Sequence, residues 1–128
     1  MKSLSKDRLA QIFQMRYDFM TKMLEVMPQA QPEFPVDVTT KESQQYCRDL
    51  ALRGVEEMFE ALQHLKNWKS HRVTEISEFD RENFLEEVVD AFNYFFALLV
   101  ALDCNPEEFF EAYCKKDKII HQRIIDKY

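Results

Sequence analysis

The most informative stretch of the chain is residues 81–102, which read RENFLEEVVDAFNYFFALLVAL. Asp80, immediately before it, is a suitable N-cap, so the pattern predicts a helix from Arg81 to about Leu102. After Asp90 this helix is apolar on every face, which predicts that it is buried all round. The uncharged run 91–102 is well short of the roughly 20 residues that span a bilayer, so no membrane partner is expected.

Two helices are expected before that stretch. Apolar residues at helical spacing predict the first from about Ser5 to Met27. Thr39-x-x-Glu42 fits a capping box that opens the second, which should reach about Leu65. The apolar stripe of the second helix is predicted to alternate steps of four and three, through Ala51, Val55, Met58, Leu62 and Leu65.

A fourth helix is expected near the end of the chain. Asn105 is its predicted N-cap, Pro106 its first residue and Glu108 its capping-box glutamate. Residues 66–79 are mostly polar and weakly periodic, which indicates a loop. Gly54 is the only glycine of the sequence, and β-hairpins and bulges commonly use glycine, so few of them are expected. The expected fold is therefore all-α, with one domain over residues 1–128.

Composition and charge narrow the possible functions. The 128 residues are 46% hydrophobic, which favours a packed domain over disorder. The formal charge of −6 argues against nucleic acid as a partner, since phosphate backbones attract an excess of Lys and Arg. The three cysteines show no C-x-x-C spacing, and residues 1–11 contain no apolar segment of a secretory signal. A soluble cytoplasmic protein is expected.

Four carboxylates form the main candidate for chemistry. Glu57 with Glu60, and Glu87 with Asp90, are each three residues apart, so each pair points to one side of its helix. Acidic residues opposite an apolar stripe are usually only a solvated face, and the first pair fits that interpretation. The second pair lies on a helix predicted to be buried, where uncompensated carboxylates are costly. A metal ion is the simplest partner.

The ligand types restrict the metal. A ferritin-like di-iron bundle requires Glu-x-x-His pairs, and none of His64, His71 or His121 has a glutamate three positions before it. Zinc favours clusters of His or Cys, which are also missing. All-oxygen ligation indicates Mg²⁺ or Mn²⁺.

Two basic segments accompany the carboxylates. Lys66 and Lys69 flank the only tryptophan, Trp68, and the C-terminal region holds five further cations. Such residues are most often surface cations that complement helix dipoles. The alternative is a phosphate clamp opposite the metal. The five C-terminal cations are Lys115, Lys116, Lys118, Arg123 and Lys127.

Together these motifs resemble the all-α nucleoside triphosphate pyrophosphatases, which include dimeric dUTPases, phage-type dCTPases and MazG-like enzymes. The family signature E-E-x-x-E, a gap, then E-x-x-D is matched by Glu56, Glu57, Glu60, Glu87 and Asp90, and the long gap resembles the dUTPase/dCTPase branch. Residues 66–69 resemble its W-K-x-W-K segment, with Leu65 in place of the first Trp. The tail from Tyr113 to Tyr128 resembles its Y-x-x-K-N-x-x-N-x-x-R-x-x-x-G-Y ending, but Asp117 and Ile120 replace Asn and Lys127 replaces Gly.

The resemblance implies a bundle of four to five helices completed by dimerisation, in a homodimer or higher homo-oligomer. It also implies Mg²⁺-dependent cleavage of dUTP or dCTP to monophosphate and pyrophosphate. Glu57, Glu60, Glu87 and Asp90 would hold the metal, and Glu56 would help to take a proton from water. The substrate-binding residues implied are Gln14, Asp18, Lys66, Trp68, Lys69, Asn93, Lys116 and Arg123.

Some alternatives stay open at the level of sequence. In the first helix a shifted register puts Arg16 and Met20 at the base-reading positions instead of Gln14 and Asp18, so the preferred base is undetermined. A MazG-like pyrophosphatase of broader specificity fits the same metal motif. A non-catalytic helical dimerisation module fits if the acidic faces are only solvated.

Overall fold

A computed structural model describes residues 7–76 and 78–127 of the chain. These residues form four helices and no β-strand, which confirms the all-α prediction. None of the described helices combines the length and apolar character needed to cross a bilayer. The helices are α1 (Arg8–Val26), α2 (Lys41–Leu62), α3 (Arg81–Ala101) and α4 (Pro106–Ile125).

Side-chain caps begin all four described helices. The Asp7 carboxylate accepts the Leu9 N–H at 2.9 Å and so opens α1; the earlier start expected at Ser5 lies outside the described residues. The predicted cap of α3 is confirmed, because Asp80 accepts the Asn83 N–H at 3.1 Å. Asn105 likewise accepts the Glu108 N–H at 2.8 Å, so the predicted start of α4 is also confirmed.

The predicted capping box of α2 is one residue too early. Thr40 is the N-cap, and its Oγ1 accepts the Ser43 N–H at 3.1 Å. The hydroxyl of Thr39 does not cap the helix, because it donates a hydrogen bond to Asp37 Oδ1 at 2.6 Å. This hydrogen bond lowers the pKa of Asp37, because it favours the ionised carboxylate. The helix also ends at Leu62 rather than at Leu65.

The chain divides into two compact units, and the single domain over residues 1–128 stays a prediction. The first unit contains the residues up to Pro35 and from Leu99 onward. In it, the Phe13 ring of α1 lies 6.2 Å from the Phe109 ring of α4. Phe13 and Met20 are the buried residues of α1.

The second unit, residues 36–98, contains α2 and most of α3. The residues of α2 that are buried share one face of the helix, but not the predicted one. Val55 and Leu62, which belong to the predicted stripe, are 46% and 44% exposed, so that prediction is wrong. Small residues lie at the inner face instead, where packing is tight: a Cβ on Gly54 would overlap the ring of Phe95. The buried residues of α2 are Cys47, Leu50, Gly54 and Ala61.

The prediction that α3 is buried all round is also wrong. Phe92 is 46% exposed, and Asp90 is exposed. Burial along α3 falls mainly on small side chains such as Ala91 and Ala97. The argument that Asp90 needs a metal because it is buried therefore does not hold, and the case for a metal has to rest on the neighbours of the carboxylates.

Candidate functional site

Glu57 lies on the inner face of α2, between two buried small residues. It follows Gly54 by three positions and precedes Ala61 by four, so all three project to one side of the helix. The Glu57 side chain is partly buried, whereas Glu60 is exposed. The interpretation of this pair as a solvated face therefore fits Glu60 but not Glu57. This carboxylate is directed towards the packed side of the helix.

The surroundings of Glu57 favour its protonated form. Desolvation raises the pKa of Glu57, and the nearby carboxylates of Glu60 and Asp90 raise it further. The carboxyl groups of Glu57 and Glu60 also share a hydrogen bond, and Glu56 adds a smaller repulsion. Glu57 of α2 and Asp90 of α3 are thus close enough to interact electrostatically.

Glu87 has a different neighbour. Its Oε2 lies 3.1 Å from Nε2 of His64, and the two side chains are only 30% and 24% exposed. The imidazole ring packs edge-on against Phe84, with ring centroids 6.3 Å apart. Sequence analysis considered His64 only as an iron ligand and missed this contact, which joins residues 23 positions apart.

The carboxylates are near one another without forming a ready-made coordination sphere. Over the described parts of the chain, no three side chains of His, Cys, Asp or Glu are grouped closely enough to hold a metal ion. The donor set nevertheless fits a hard cation, because it consists of carboxylate oxygens from adjacent turns and from two helices.

A cleft of about 430 Å³ opens beside Glu57 and contains a cation that sequence analysis missed. Arg53 Nε donates to Asp49 Oδ2 at 2.8 Å, and Arg53 also forms a hydrogen bond with Tyr94 of α3. The Asp49 carboxylate raises the pKa of Arg53, so its charge is secure. One signal was available in the sequence: Arg53 precedes Glu57 by four residues and so lies on the same side of α2. The cleft is lined by Asp49, Leu52, Arg53, Glu56, Glu57 and Tyr94.

A second, more apolar cavity of about 490 Å³ lies where α2 passes into the following loop. Trp68 is 73% exposed there, and Lys69 Nζ lies 5.6 Å from the centroid of its ring. An exposed aromatic face beside a lysine can stack a planar ring and attract an anion attached to it. The lining residues are Phe59, Leu62, Gln63, Leu65, Lys66 and Trp68.

The remaining predicted site residues lie on three helices. Asn93 is partly buried on α3, one turn beyond Asp90. Gln14 Nε2 donates to Asp18 Oδ1 at 2.8 Å, so the two proposed base-reading residues of α1 contact each other. Lys116 and Arg123 are exposed on α4 and are seven positions apart, which puts both on one side.

Comparison with protein-family models, curated proteins and solved structures found no match to this chain. The family suggested by the motifs therefore stays a prediction.

Proposed function

We propose that this chain hydrolyses nucleoside triphosphates to monophosphate and pyrophosphate with Mg²⁺ or Mn²⁺, and that dUTP and dCTP are the foremost candidate substrates. One observation carries the proposal. Glu57 is directed to the inner face of α2, and its pKa is raised by desolvation and by the carboxylates of Glu60 and Asp90. Holding like charges together destabilises a fold, and a divalent cation relieves that repulsion.

In the proposed site, Glu57, Glu60, Glu87 and Asp90 would hold the cation. When bound, it would polarise phosphate oxygens and lower the pKa of a water molecule. Glu56 lines the cleft beside Glu57 and is the proposed acceptor of the water proton. The water oxygen would bond to the α-phosphorus while the bridge to the β-phosphate breaks, releasing pyrophosphate.

The chain also supplies groups suited to the rest of a nucleotide. Trp68, with its exposed ring, is the proposed stacking partner of the base, and Lys66 lines the same cavity. Lys69 is the proposed phosphate contact beside them. Arg53 would complement the negative charge of the substrate at the cleft next to Glu57. Asn93, Lys116, Arg123, Gln14 and Asp18 keep the substrate-binding roles that the resemblance implies.

A second copy of the chain is the proposed partner of the outer face of α2. Leu52, Val55, Phe59 and Leu62 are 56%, 46%, 59% and 44% exposed, and steps of three and four put them on one stripe. An apolar stripe of this kind typically marks an interaction surface. Light scattering should give the mass of a dimer or higher oligomer, and Phe59→Glu should reduce it. Val73→Glu, a change at an 81% exposed loop residue, is the control.

The deciding experiment is a pyrophosphate-release assay over all nucleoside and deoxynucleoside triphosphates, with and without Mg²⁺. Turnover of dUTP or dCTP that requires the metal is expected. Glu60→Gln should abolish it with helicity unchanged, whereas Glu86→Gln, an exposed neighbour of Glu87, should not. A chain that turns over none of the substrates is not this enzyme. Preference for other bases would favour the broader MazG-like activity.

The exposed stripe of α2 also favours a second candidate, a non-catalytic dimerisation module. In that case the acidic residues are only a solvated surface. Mg²⁺ and Mn²⁺ would then leave the melting temperature unchanged, and Asp90→Ala, a change at an exposed residue, would be neutral or stabilising. Thermal unfolding with and without Mn²⁺ separates the two candidates.

A further inference from the structure

His64 and Glu87 form a directed contact between the end of α2 and α3. His64 lies two residues beyond Leu62, and its Nε2 is 3.1 Å from Glu87 Oε2. An imidazole with its proton on Nε2 donates across this contact, and the Glu87 carboxylate oxygen accepts. With 24% and 30% of their side chains exposed, the two groups are partly shielded from water.

Aromatic packing fixes the orientation of the imidazole ring. Phe84 contacts it edge-on, with an interplanar angle of 77°. The Phe84 ring itself lies 5.3 Å from the ring of Phe79. Because Phe84 precedes Glu87 by three residues, both project from the same side of α3. One face of α3 therefore supplies both Glu87, which accepts the hydrogen bond, and Phe84, which packs against the imidazole ring of His64.

We infer that His64 is a positioning residue for Glu87, a role that rests on the proposed metal-dependent function. Its N–H holds one carboxylate oxygen and so leaves the other to face a cation. Carboxylates that bind metals are commonly fixed by hydrogen bonds of this kind. Loss of such a partner typically weakens metal affinity about 10- to 100-fold. His64 thus orients a ligand without being one.

Calorimetric titration of the full chain with Mn²⁺ tests this role. His64→Ala should raise the Kd for Mn²⁺ about 10- to 100-fold. His64→Gln should restore part of the affinity, because the amide keeps an N–H donor of similar reach. His71→Ala is the matched control, since His71 is an exposed histidine of the loop in the same unit, and it should leave the Kd unchanged.

A double-mutant cycle with Glu87→Gln separates positioning from general stability. If His64 acts through Glu87, His64→Ala should add no further loss of Mn²⁺ affinity in the Glu87→Gln background. A structural role would instead lower the melting temperature in EDTA and leave the Kd unchanged, which overturns the inference. Nitrogen coupling to bound Mn²⁺ that vanishes in His64→Ala would also overturn it, because His64 would then be a ligand.

The wild-type titration distinguishes a failure of the proposed function from a failure of the positioning role of His64. Wild-type protein that binds no Mn²⁺ refutes the proposed function and this inference together. Wild-type protein that binds Mn²⁺ while His64→Ala binds it equally well refutes only the positioning role.

Discussion

Gly54→Ala is a sharp test of how closely α2 packs. A Cβ added at Gly54 would overlap the ring of Phe95, with its Cδ1 and Cζ atoms only 2.8 and 2.9 Å away. Real Cβ atoms essentially never approach other atoms this closely. The ring is stiff and is itself packed edge-on against Phe92, with centroids 5.8 Å apart. It therefore cannot move aside without disturbing its neighbour.

Two opposing effects set the change in the free energy of unfolding caused by Gly54→Ala. Replacing glycine by alanine inside a helix stabilises it by about 1 kcal/mol, because the unfolded chain loses freedom. Forcing a methyl group into a packed site costs about 1–3 kcal/mol. Since three atoms of one rigid ring are involved, the upper part of that range applies. The net expectation is a loss of about 1–2 kcal/mol in the free energy of unfolding.

Urea unfolding followed by circular dichroism measures this difference, at one fixed protein concentration so that association does not confuse it. Phe95→Leu provides the control background, because a smaller side chain leaves room for the methyl group. In that background Gly54→Ala should be neutral or stabilising. A single variant Gly54→Ala that is about 1 kcal/mol more stable than wild type would refute the packing argument, since helix propensity alone would then explain it.

Three further predictions concern charge, capping and the apolar cavity. Folding raises the pKa of Glu57, so the folded state binds that proton more tightly than the unfolded state. The ionised carboxylate therefore destabilises the folded state; this destabilisation is absent at low pH and develops as pH rises through the folded pKa. Glu57→Gln should therefore raise the melting temperature in EDTA at neutral pH, flatten its dependence on pH and abolish stabilisation by Mn²⁺; a lower melting temperature in EDTA would contradict the electrostatic argument. Asn105→Ala removes the cap of α4 and should cost about 1 kcal/mol in urea unfolding, whereas Asn105→Asp should cost little. Trp68→Ala should raise KM far more than it lowers kcat if the ring stacks the base, and Trp68→Phe should recover most of the affinity; equal KM values would remove Trp68 from the site.

Features set by near neighbours in the sequence could be predicted. The caps Asp80 and Asn105 act within three residues of themselves, so local pattern was sufficient. The capping threonine of α2 was misplaced because Thr39 and Thr40 are adjacent, and a third residue, Asp37, decides between them.

Which residues of α2 form its buried face could not be predicted from the local sequence pattern. A stripe chosen by hydrophobicity favours Val55 and Leu62, but the structure buries Gly54 and Ala61, whose small size matters only once a second helix is present. The spacing of the carboxylates was readable because residues three apart share a side. The partner of Glu87 was not readable, because a contact across 23 positions depends on tertiary structure.

The small residues on either side of Glu57 have an evolutionary consequence. With Gly54 before it and Ala61 after it, the carboxylate lies on a face of α2 where the Phe95 ring leaves no room for a Cβ at Gly54. Outward-facing positions do not enter that constraint. Descendants of such a protein can therefore diverge over much of their surface while the Glu57 oxygens stay where they were.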